Sequence, residues 1–433
     1  MVSVCRVERS GLAGAVSVPP NKSYTHRGVF LASMADGVST INNALISDDI
    51  WSSIGAARVF GAGVTINGST VVVEGTSERK MRMVPKVEAG NSGTTARISA
   101  AIAGLYDEMV VVDGDSSLQS RPMGPIERPM RELGVSCKTT DGRLPMRIEG
   151  PAVGGSITID GTVSSQFLSG FLIAGPRMRN GLTANVEGEQ VSKTYLDATI
   201  ASMKRFGVDV LAMEPYRRYR VENSNYKRTV FNVPPDHSSM AMLIAAGILV
   251  GEGGIEIFSP VDGMPQSDTV FIDVVRRLGG DVRMNGHMIR AKAGSIGGGK
   301  VDLSDAPDLL PPMAILGLKS REGILIEGVE HARHKETDRI AMLCRELPKL
   351  GATVKENRDG LWIRTEGKLH GAILDPRTRP KMGGDHRLFM VYTMAGMLVG
   401  DTSVMDPDCA AVSYPKFLRD MRGLGAILRI ENS

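Results

Sequence analysis

A chain of 433 residues is longer than one ordinary hydrophobic core sustains, so two domains of about 200 residues each are expected. Lysine and arginine number 51 against 48 acidic residues, a net charge of +3, which gives no excess positive field and argues against a general nucleic-acid binder. Four widely spaced cysteines (Cys5, Cys137, Cys344, Cys409) without a C-x-x-C suit a reducing cytoplasm rather than a disulfide framework or zinc site. The opening MVSVCRVERSG has no apolar signal core, and no apolar run reaches the roughly 18 residues of a membrane span.

The first polar opening is PPNKSYTHRG at 19–28. Pro19 and Pro20 read as a strand exit or hinge, followed by Lys22, Ser23 and Arg27. The two cations are five residues apart and need not share a helix face; a solvated basic turn would look the same. GNSGTTARISAAIAG at 90–104 starts as a loop, and from Thr95 to Gly104 reads as a helix of small residues. A glycine-rich loop entering a helix offers free N–H groups and the positive end of the dipole, a combination that binds anions. Its spacing is neither that of a P-loop nor that of a dinucleotide fingerprint. SLQSRPMG places Arg121 before a proline, where extended geometry suits a bidentate grip on a carboxylate or phosphate. TVSSQFLSG sets Ser164, Ser165 and Gln166 at a helix opening, either as a phosphate cradle or as an ordinary serine cap. GEQVSKTYLD adds Ser192, Lys193 and Tyr195 at the next opening.

In the second half, APDLLPPM isolates Asp308 among apolar residues and prolines. Such a carboxylate tends toward a raised pKa and can accept a proton near neutrality, or it can simply cap the following helix. HARHKETDRIAM is the densest cluster. Lys335 and Arg339, four apart, would present both cations on one helix face, with Glu336 and Asp338 beside them; a salt-bridged surface helix is the plainer outcome. His331 and His334 lack a further ligand at metal-site spacing, so no metal is expected. GGDHRLFM brings Asp385, His386 and Arg387 to another glycine-rich loop entering a helix.

One turn signal recurs along the chain: a helical stretch ending in a large apolar residue, then glycine, then a strand-like run. The glycines are Gly61, Gly134, Gly207, Gly279, Gly351 and Gly425, at steps of 73, 73, 72, 72 and 74 residues. Glycine just past a helix end is the expected left-handed cap. The polar openings at 21, 91, 164, 236, 307 and 385 keep nearly the same beat. Alternating runs such as TVVVEG, SITIDG and LWIRTEG read as strands. Six units of two helices and several short strands, grouped three plus three, give an α/β fold. Two lobes facing one another would aim several helix N-termini at one cleft, which suits a multiply anionic ligand.

Together these segments resemble the 5-enolpyruvylshikimate-3-phosphate synthases (3-phosphoshikimate 1-carboxyvinyltransferases), a family of enolpyruvyl transferases. The matching motifs run in order along the whole chain: N-K-S-x-x-x-R at 21–27, N-x-G-T at 91–94, R-P-x-G at 121–124, S-S-Q at 164–166, V-S-K at 191–193, P-D at 307–308, K-E-[ST]-D-R at 335–339 and D-H-R at 385–387. The resemblance implies a two-lobed inside-out α/β barrel of six βαβαββ repeats. The N-terminal lobe would span 20–233, the C-terminal lobe 1–19 plus 234–433, with hinges near 19–21 and 232–235. It implies transfer of the enolpyruvyl group of phosphoenolpyruvate to the 5-hydroxyl of shikimate 3-phosphate, with release of phosphate, in the pathway to aromatic amino acids. By motif, Lys22, Ser23, Arg27, Ser164, Ser165, Gln166, Ser192, Tyr195, Asp308 and Lys335 would hold shikimate 3-phosphate. Lys22, Asn91, Gly93, Thr94, Arg121, Gln166, Arg339 and Arg387 would hold phosphoenolpyruvate.

Within the same resemblance, Asp308 would accept the 5-hydroxyl proton, Glu336 would be the acid at C3 of the enol, and Lys22 would join them as a catalytic group. No cofactor or metal is implied; the chain would act as a cytoplasmic monomer and be inhibited by glyphosate. Two positions depart from the family pattern. Val412 stands where many members carry a lysine, and His331 where asparagine is common. Three rival readings stay open. UDP-N-acetylglucosamine enolpyruvyl transferase would place a cysteine near the R-P motif, and SSLQSRP has none. An RNA 3′-phosphate cyclase fits poorly with the near-neutral charge. A binding protein that kept the cleft but not turnover draws its support from Val412.

Overall fold

The computed structural model describes residues 3–76, 78, 85–260, 263–379 and 383–432. The chain divides into two compact units. One comprises Pro20–Pro234 with Gly263–Gln266; the other comprises Met1–Pro19, Pro235–Asp262 and Ser267–Ser433. Each unit has its own hydrophobic core. The short segment Gly263–Gln266, which the sequence did not single out, belongs with the N-terminal unit: Asn21 Nδ2 donates to Gln266 Oε1 at 2.7 Å, and the Tyr24 hydroxyl donates to the Pro265 carbonyl at 2.8 Å.

Among the described residues six sheets repeat one pattern. In the second repeat, Lys86–Glu88 pairs parallel with Val110–Asp113, which pairs antiparallel with Arg143–Glu149, which pairs antiparallel with Ser136–Thr140. The third repeat (Gly155–Asp160, Leu182–Glu187, Arg218–Val221, Leu211–Glu214) and the fifth (Gly299–Asp302, Ile324–Glu327, Gly360–Arg364, Thr353–Asn357) are built the same way. The other three borrow a strand from far along the chain. Tyr226–Lys227 and Val230–Asn232 run parallel to Ala35–Asn42 of the first sheet. Ala13–Ser17 runs parallel to Gly254–Phe258 of the fourth, and Ser3–Val7 lies between Thr402–Met405 and Leu428–Asn432 in the sixth.

Each repeat holds two principal helices of different character. The first is buried nearly all round: in His237–Val250 every residue from Ser238 onward is inside. The second is amphipathic: Val270–Arg277 buries Phe271, Ile272, Val274 and Val275 and turns Asp273, Arg276 and Arg277 to water. The three buried helices of the C-terminal unit (His237–Val250, Leu310–Leu316, His386–Val399) pack against one another. In the N-terminal unit Gly93–Ala103 lies against Ser165–Ala174, where a Cβ on Gly170 would stand 2.9 Å from the Arg97 carbonyl. The six glycines of the recurring turn all have positive φ, between 79° and 108°, as the cap reading expects. TVVVEG, SITIDG and LWIRTEG all contribute strands.

Candidate active site

In the N-terminal unit, the polar openings become helix caps. Asn21 starts Lys22–Ser33 by accepting from the Tyr24 N–H at 2.9 Å. Lys22 then sits in the first helical turn, where the dipole disfavours a cation. Asp49, from the first turn of Asp48–Val59, offsets this with an ion pair of 2.9 Å in a mostly buried setting. Arg27 lies about 140° further round the helix from Lys22. It is 2 % exposed, and its guanidinium donates to Thr199 Oγ1 at 2.8 Å, to the Tyr195 carbonyl at 2.8 Å and to the Ser23 carbonyl at 3.0 Å. Burial lowers it to about 10, so it stays charged at neutrality. Between these cations His26 is held neutral: burial, then Lys22 and Arg27, push it well below its ordinary value. Its Nδ1 meets Ser53 Oγ at 2.7 Å, Ser53 Oγ meets Thr95 Oγ1 at 2.7 Å, and Thr95 Oγ1 reaches Ser92 Oγ at 2.8 Å. This buried hydroxyl chain ties the openings of the first two repeats together.

The second opening starts two residues earlier than the small-residue pattern suggests: the helix is Gly93–Ala103, capped by Ser92, which accepts from the Thr95 N–H at 3.1 Å. Two guanidiniums converge on Gly93. A Cβ there would lie 3.0 Å from Arg97 Nη1, 3.4 Å from Arg121 Nη1 and 3.6 Å from Gln166 Oε1. Arg121 donates to Asn91 Oδ1, while Asn91 donates to Asp115 Oδ2 at 3.1 Å. Arg97 donates to Gln166 Oε1 at 2.6 Å and rests over the Phe167 ring at 4.9 Å; Gln166 in turn donates to Thr94 Oγ1 at 2.9 Å. Sequence inspection missed Arg97 and Asp49. The signal for Arg97 was its place four residues after Gly93, on the same helix face.

In the third repeat Ser164 caps Ser165–Ala174, with Ser165 buried behind it. Ser192 precedes Lys193–Arg205 in a left-handed conformation at φ 54°. For a serine this is a strained position of the kind found at ligand sites.

The C-terminal unit gathers its charges around one side chain. Arg339, 1 % exposed, opens Arg339–Glu346. It donates through Nη1 to Asp308 Oδ1 at 2.7 Å, through Nη2 to Glu336 Oε2 at 2.7 Å and through Nε to Asp385 Oδ2 at 2.8 Å. Arg387 Nη2 reaches the other Asp308 oxygen at 3.2 Å, and Lys335 Nζ lies 3.9 Å from Oδ1. Three cations thus meet three carboxylates. Burial works against the charge of Arg339, and Asp385, Glu336 and Asp308 more than offset it, so the group is held above the ordinary arginine value. Burial pulls Lys335 down against the attraction of Asp308.

Two expectations change here. Lys335 and Arg339 do not share a helix face: Lys335 is extended and follows the short 3₁₀ stretch Glu330–His334, because Asp338 caps the helix by accepting from the Ala341 N–H. Asp308 is not a cap either. It lies in the 3₁₀ turn Pro307–Leu309 that leads into Leu310–Leu316, which frees its carboxylate for the cations. Asp385 does cap His386–Val399, accepting from the Arg387 and Leu388 N–H groups as well as from Arg339. His331 is pushed down to about 4, chiefly by burial and then by Lys335; its buried Nε2 has no hydrogen-bond partner among the described residues. Val412 ends the 3₁₀ stretch Pro407–Val412, and Lys416 is exposed. Among the described residues no cluster of His, Cys, Asp or Glu is arranged to hold a metal, and no helix is long and apolar enough to cross a membrane.

This architecture is shared with solved enolpyruvyl transferases. An EPSP synthase from Acinetobacter baumannii superposes with a TM-score of 0.81 at 23% identity over all of both chains; the enolpyruvyl transferase NikO from Streptomyces tendae gives 0.77 at 17% identity over 100% of this chain and 99% of that one. The sequence narrows the class. The model of the family EPSP synthase (3-phosphoshikimate 1-carboxyvinyltransferase) matches residues 7–421. A 3-phosphoshikimate 1-carboxyvinyltransferase of Nitrosopumilus maritimus is 43% identical over 428 residues, covering 99% of this chain and all of that one. One of Methanothermobacter thermautotrophicus is 39% identical over 428 residues, covering 98% and 99%. The chain belongs to the EPSP synthase family, and it is an enzyme of enolpyruvyl transfer in the shikimate pathway.

Proposed function

We propose that both clusters serve one addition–elimination between shikimate 3-phosphate and phosphoenolpyruvate. Glu336 delivers a proton to C3 of phosphoenolpyruvate, the 5-hydroxyl oxygen bonds to C2, and Asp308 takes the hydroxyl proton. Loss of a proton from C3 and cleavage of the C2–O bond to phosphate then give the enolpyruvyl ether and inorganic phosphate, with Lys22 assisting the departing phosphate. Lys22, Ser23, Arg27, Ser164, Ser165, Gln166, Ser192, Tyr195, Asp308 and Lys335 hold shikimate 3-phosphate. Lys22, Asn91, Gly93, Thr94, Arg121, Gln166, Arg339 and Arg387 hold phosphoenolpyruvate, and glyphosate competes there. Two phosphates and two carboxylates repel one another unless fixed cations and amides offset them, which is the residue stock of both clusters. The chain works as a monomer in the cytoplasm without a cofactor.

The observation that carries this reading is Arg339, which holds Asp308 and Glu336 at 2.7 Å from two nitrogens of one guanidinium. Two carboxyl groups fixed side by side can give and take protons in one turnover. The experiment is phosphate release from phosphoenolpyruvate with shikimate 3-phosphate as acceptor and UDP-N-acetylglucosamine in parallel. Release with the first acceptor alone, reduced about 100-fold or more in Asp308→Ala and in Glu336→Ala, supports the reading. Release with the second acceptor, or binding without turnover, overturns it.

A further inference from the structure

We propose that Gln190 is a positioning residue for the phosphate end of shikimate 3-phosphate, holding the backbone at Ser192 so that the serine hydroxyl serves the substrate rather than its own helix. The inference rests on the reading of Ser192 as a ligand of shikimate 3-phosphate. Asn21, Ser92 and Ser164 each give a side-chain oxygen to the cap of the helix they open. Ser192 opens Lys193–Arg205 without a side-chain cap bond, its backbone left-handed at φ 54° and ψ 48° instead of extended as a cap requires. That leaves the hydroxyl and the N–H groups of the first turn to an anion. In this conformation the serine Cβ crowds the following carbonyl oxygen, so the surrounding structure must hold it there.

Gln190 is buried, and its Nε2 donates to the Val191 carbonyl at 2.8 Å and to the Gly161 carbonyl at 3.3 Å. The Val191 N–H donates to the same Gly161 carbonyl at 3.0 Å. Val191 is thus gripped on both sides, its N–H by Gly161 and its carbonyl by Gln190. The Val191–Ser192 peptide is planar, so fixing its carbonyl oxygen fixes the plane from which φ of Ser192 is turned. Gly161 stands three residues before Ser164, the cap of Ser165–Ala174, so the same clamp ties together the two serine openings of the third repeat. The approach needs glycine: a Cβ on Gly161 would lie 2.6 Å from Val186 Cγ1 and 3.1 Å from Gln190 Cα. Both partners of the glutamine are carbonyls, which only its NH2 group can serve. Its Oε1 is buried with no hydrogen-bond partner among the described residues. A buried acceptor left unpaired costs stability, and a methionine would fill similar space without that cost. What the glutamine adds over an apolar side chain is the pair of donated bonds.

The test uses the full chain. Gln190→Met, Ser192→Ala and the double variant are compared with the parent in kcat, in KM for both substrates and in Tm. Gln190→Met should raise the KM for shikimate 3-phosphate about three- to tenfold. Its kcat and its KM for phosphoenolpyruvate should stay within about twofold of the parent, because the lost contact holds the phosphate of one substrate in ground state and transition state alike. Ser192→Ala should raise the same KM by a similar factor. If Gln190 acts through Ser192, adding Gln190→Met to Ser192→Ala should change that KM by less than about twofold. Gln190→Asn, whose amide falls one methylene short of the Val191 carbonyl, decides the matter if Gln190→Met fails to fold. An unchanged KM for shikimate 3-phosphate in the Gln190 variants, equal rises in both KM values, or full multiplication of the two effects in the double variant overturns the proposal. A parent-like KM for shikimate 3-phosphate in Ser192→Ala would instead overturn the assignment of Ser192, a separate failure.

Discussion

A Cβ on Gly93 would lie 3.0 Å from Arg97 Nη1 and 3.4 Å from Arg121 Nη1. Both are ends of flexible side chains, so Gly93→Ala should fold normally while moving the guanidiniums by a few tenths of an ångström. Inhibition by glyphosate should weaken by about tenfold and the KM for phosphoenolpyruvate should rise by less, since one methyl in a tight pocket is worth about 1–3 kcal/mol. Equal inhibition of the two proteins would contradict this. His331 predicts a pH effect. Its folded value of about 4 lies below the ordinary 6.5. The unfolded chain therefore binds the extra proton between those values, and stability falls as pH drops through that window, by on the order of 3 kcal/mol at its foot. His331→Asn should lose less stability between about pH 7 and 5 in denaturant unfolding than the parent does; identical losses would refute the role of burial. His26, depressed in the same way, acts equally in both proteins. At this scale, motif residues such as Asn91 and Arg121 were legible in the sequence. Asp49 was not, because its pairing with Lys22 spans 27 residues and only the fold closes that distance.

The helix openings look alike in sequence yet do different work. Ser164 gives its helix one cap bond of 3.3 Å, and Ser164→Ala should cost about 0.5–1 kcal/mol. Asp385 caps a helix and also holds Arg339 and accepts from Thr337 Oγ1 at 3.2 Å. Asparagine caps as well as aspartate, but Asp385→Asn strips one of three carboxylates from a buried guanidinium. A loss of about 3 kcal/mol or more is expected in urea unfolding. Comparable losses in the two variants would mean that Asp385 matters only as a cap. The glycine stops and alternating strands were readable because each is a local backbone event with a fixed period. The fifth repeat defeated the same reasoning. Its opening tightens into a 3₁₀ turn at Pro307–Leu309, and Asp338 breaks the supposed helix between Lys335 and Arg339. Both departures turn side chains toward the charge cluster, and neither has a hydrophobic period to reveal it.

At the scale of the molecule, the described residues form six sheets that share one pattern, and three of them are completed by strands from elsewhere in the chain. Residues 3–17 fill an inner place in the sixth sheet and an edge in the fourth. Their deletion should leave unpaired strand edges in the C-terminal unit, while all three sheets of the N-terminal unit keep their strands. Hydrogen exchange should then show lost protection across 235–432 and retained protection across 20–234; protection retained in both would contradict the idea. The six-unit period was plain in the sequence, whereas strand pairing leaves no mark on spacing: the return of 1–19 to the C-terminal unit was expected from the family resemblance alone, and the pairing of 226–232 with the first sheet was not expected. The borrowing also imposes an order of synthesis. Ala13–Ser17 must wait for Gly254–Phe258, some 240 residues later, a delay of roughly 10–50 s at ribosomal speed. During that wait Pro20–Pro234 can fold, and Gly263–Gln266 joins them afterwards. The waiting strand, AGAVS, is small and weakly apolar, poor material for the intermolecular pairing that a long-exposed edge invites.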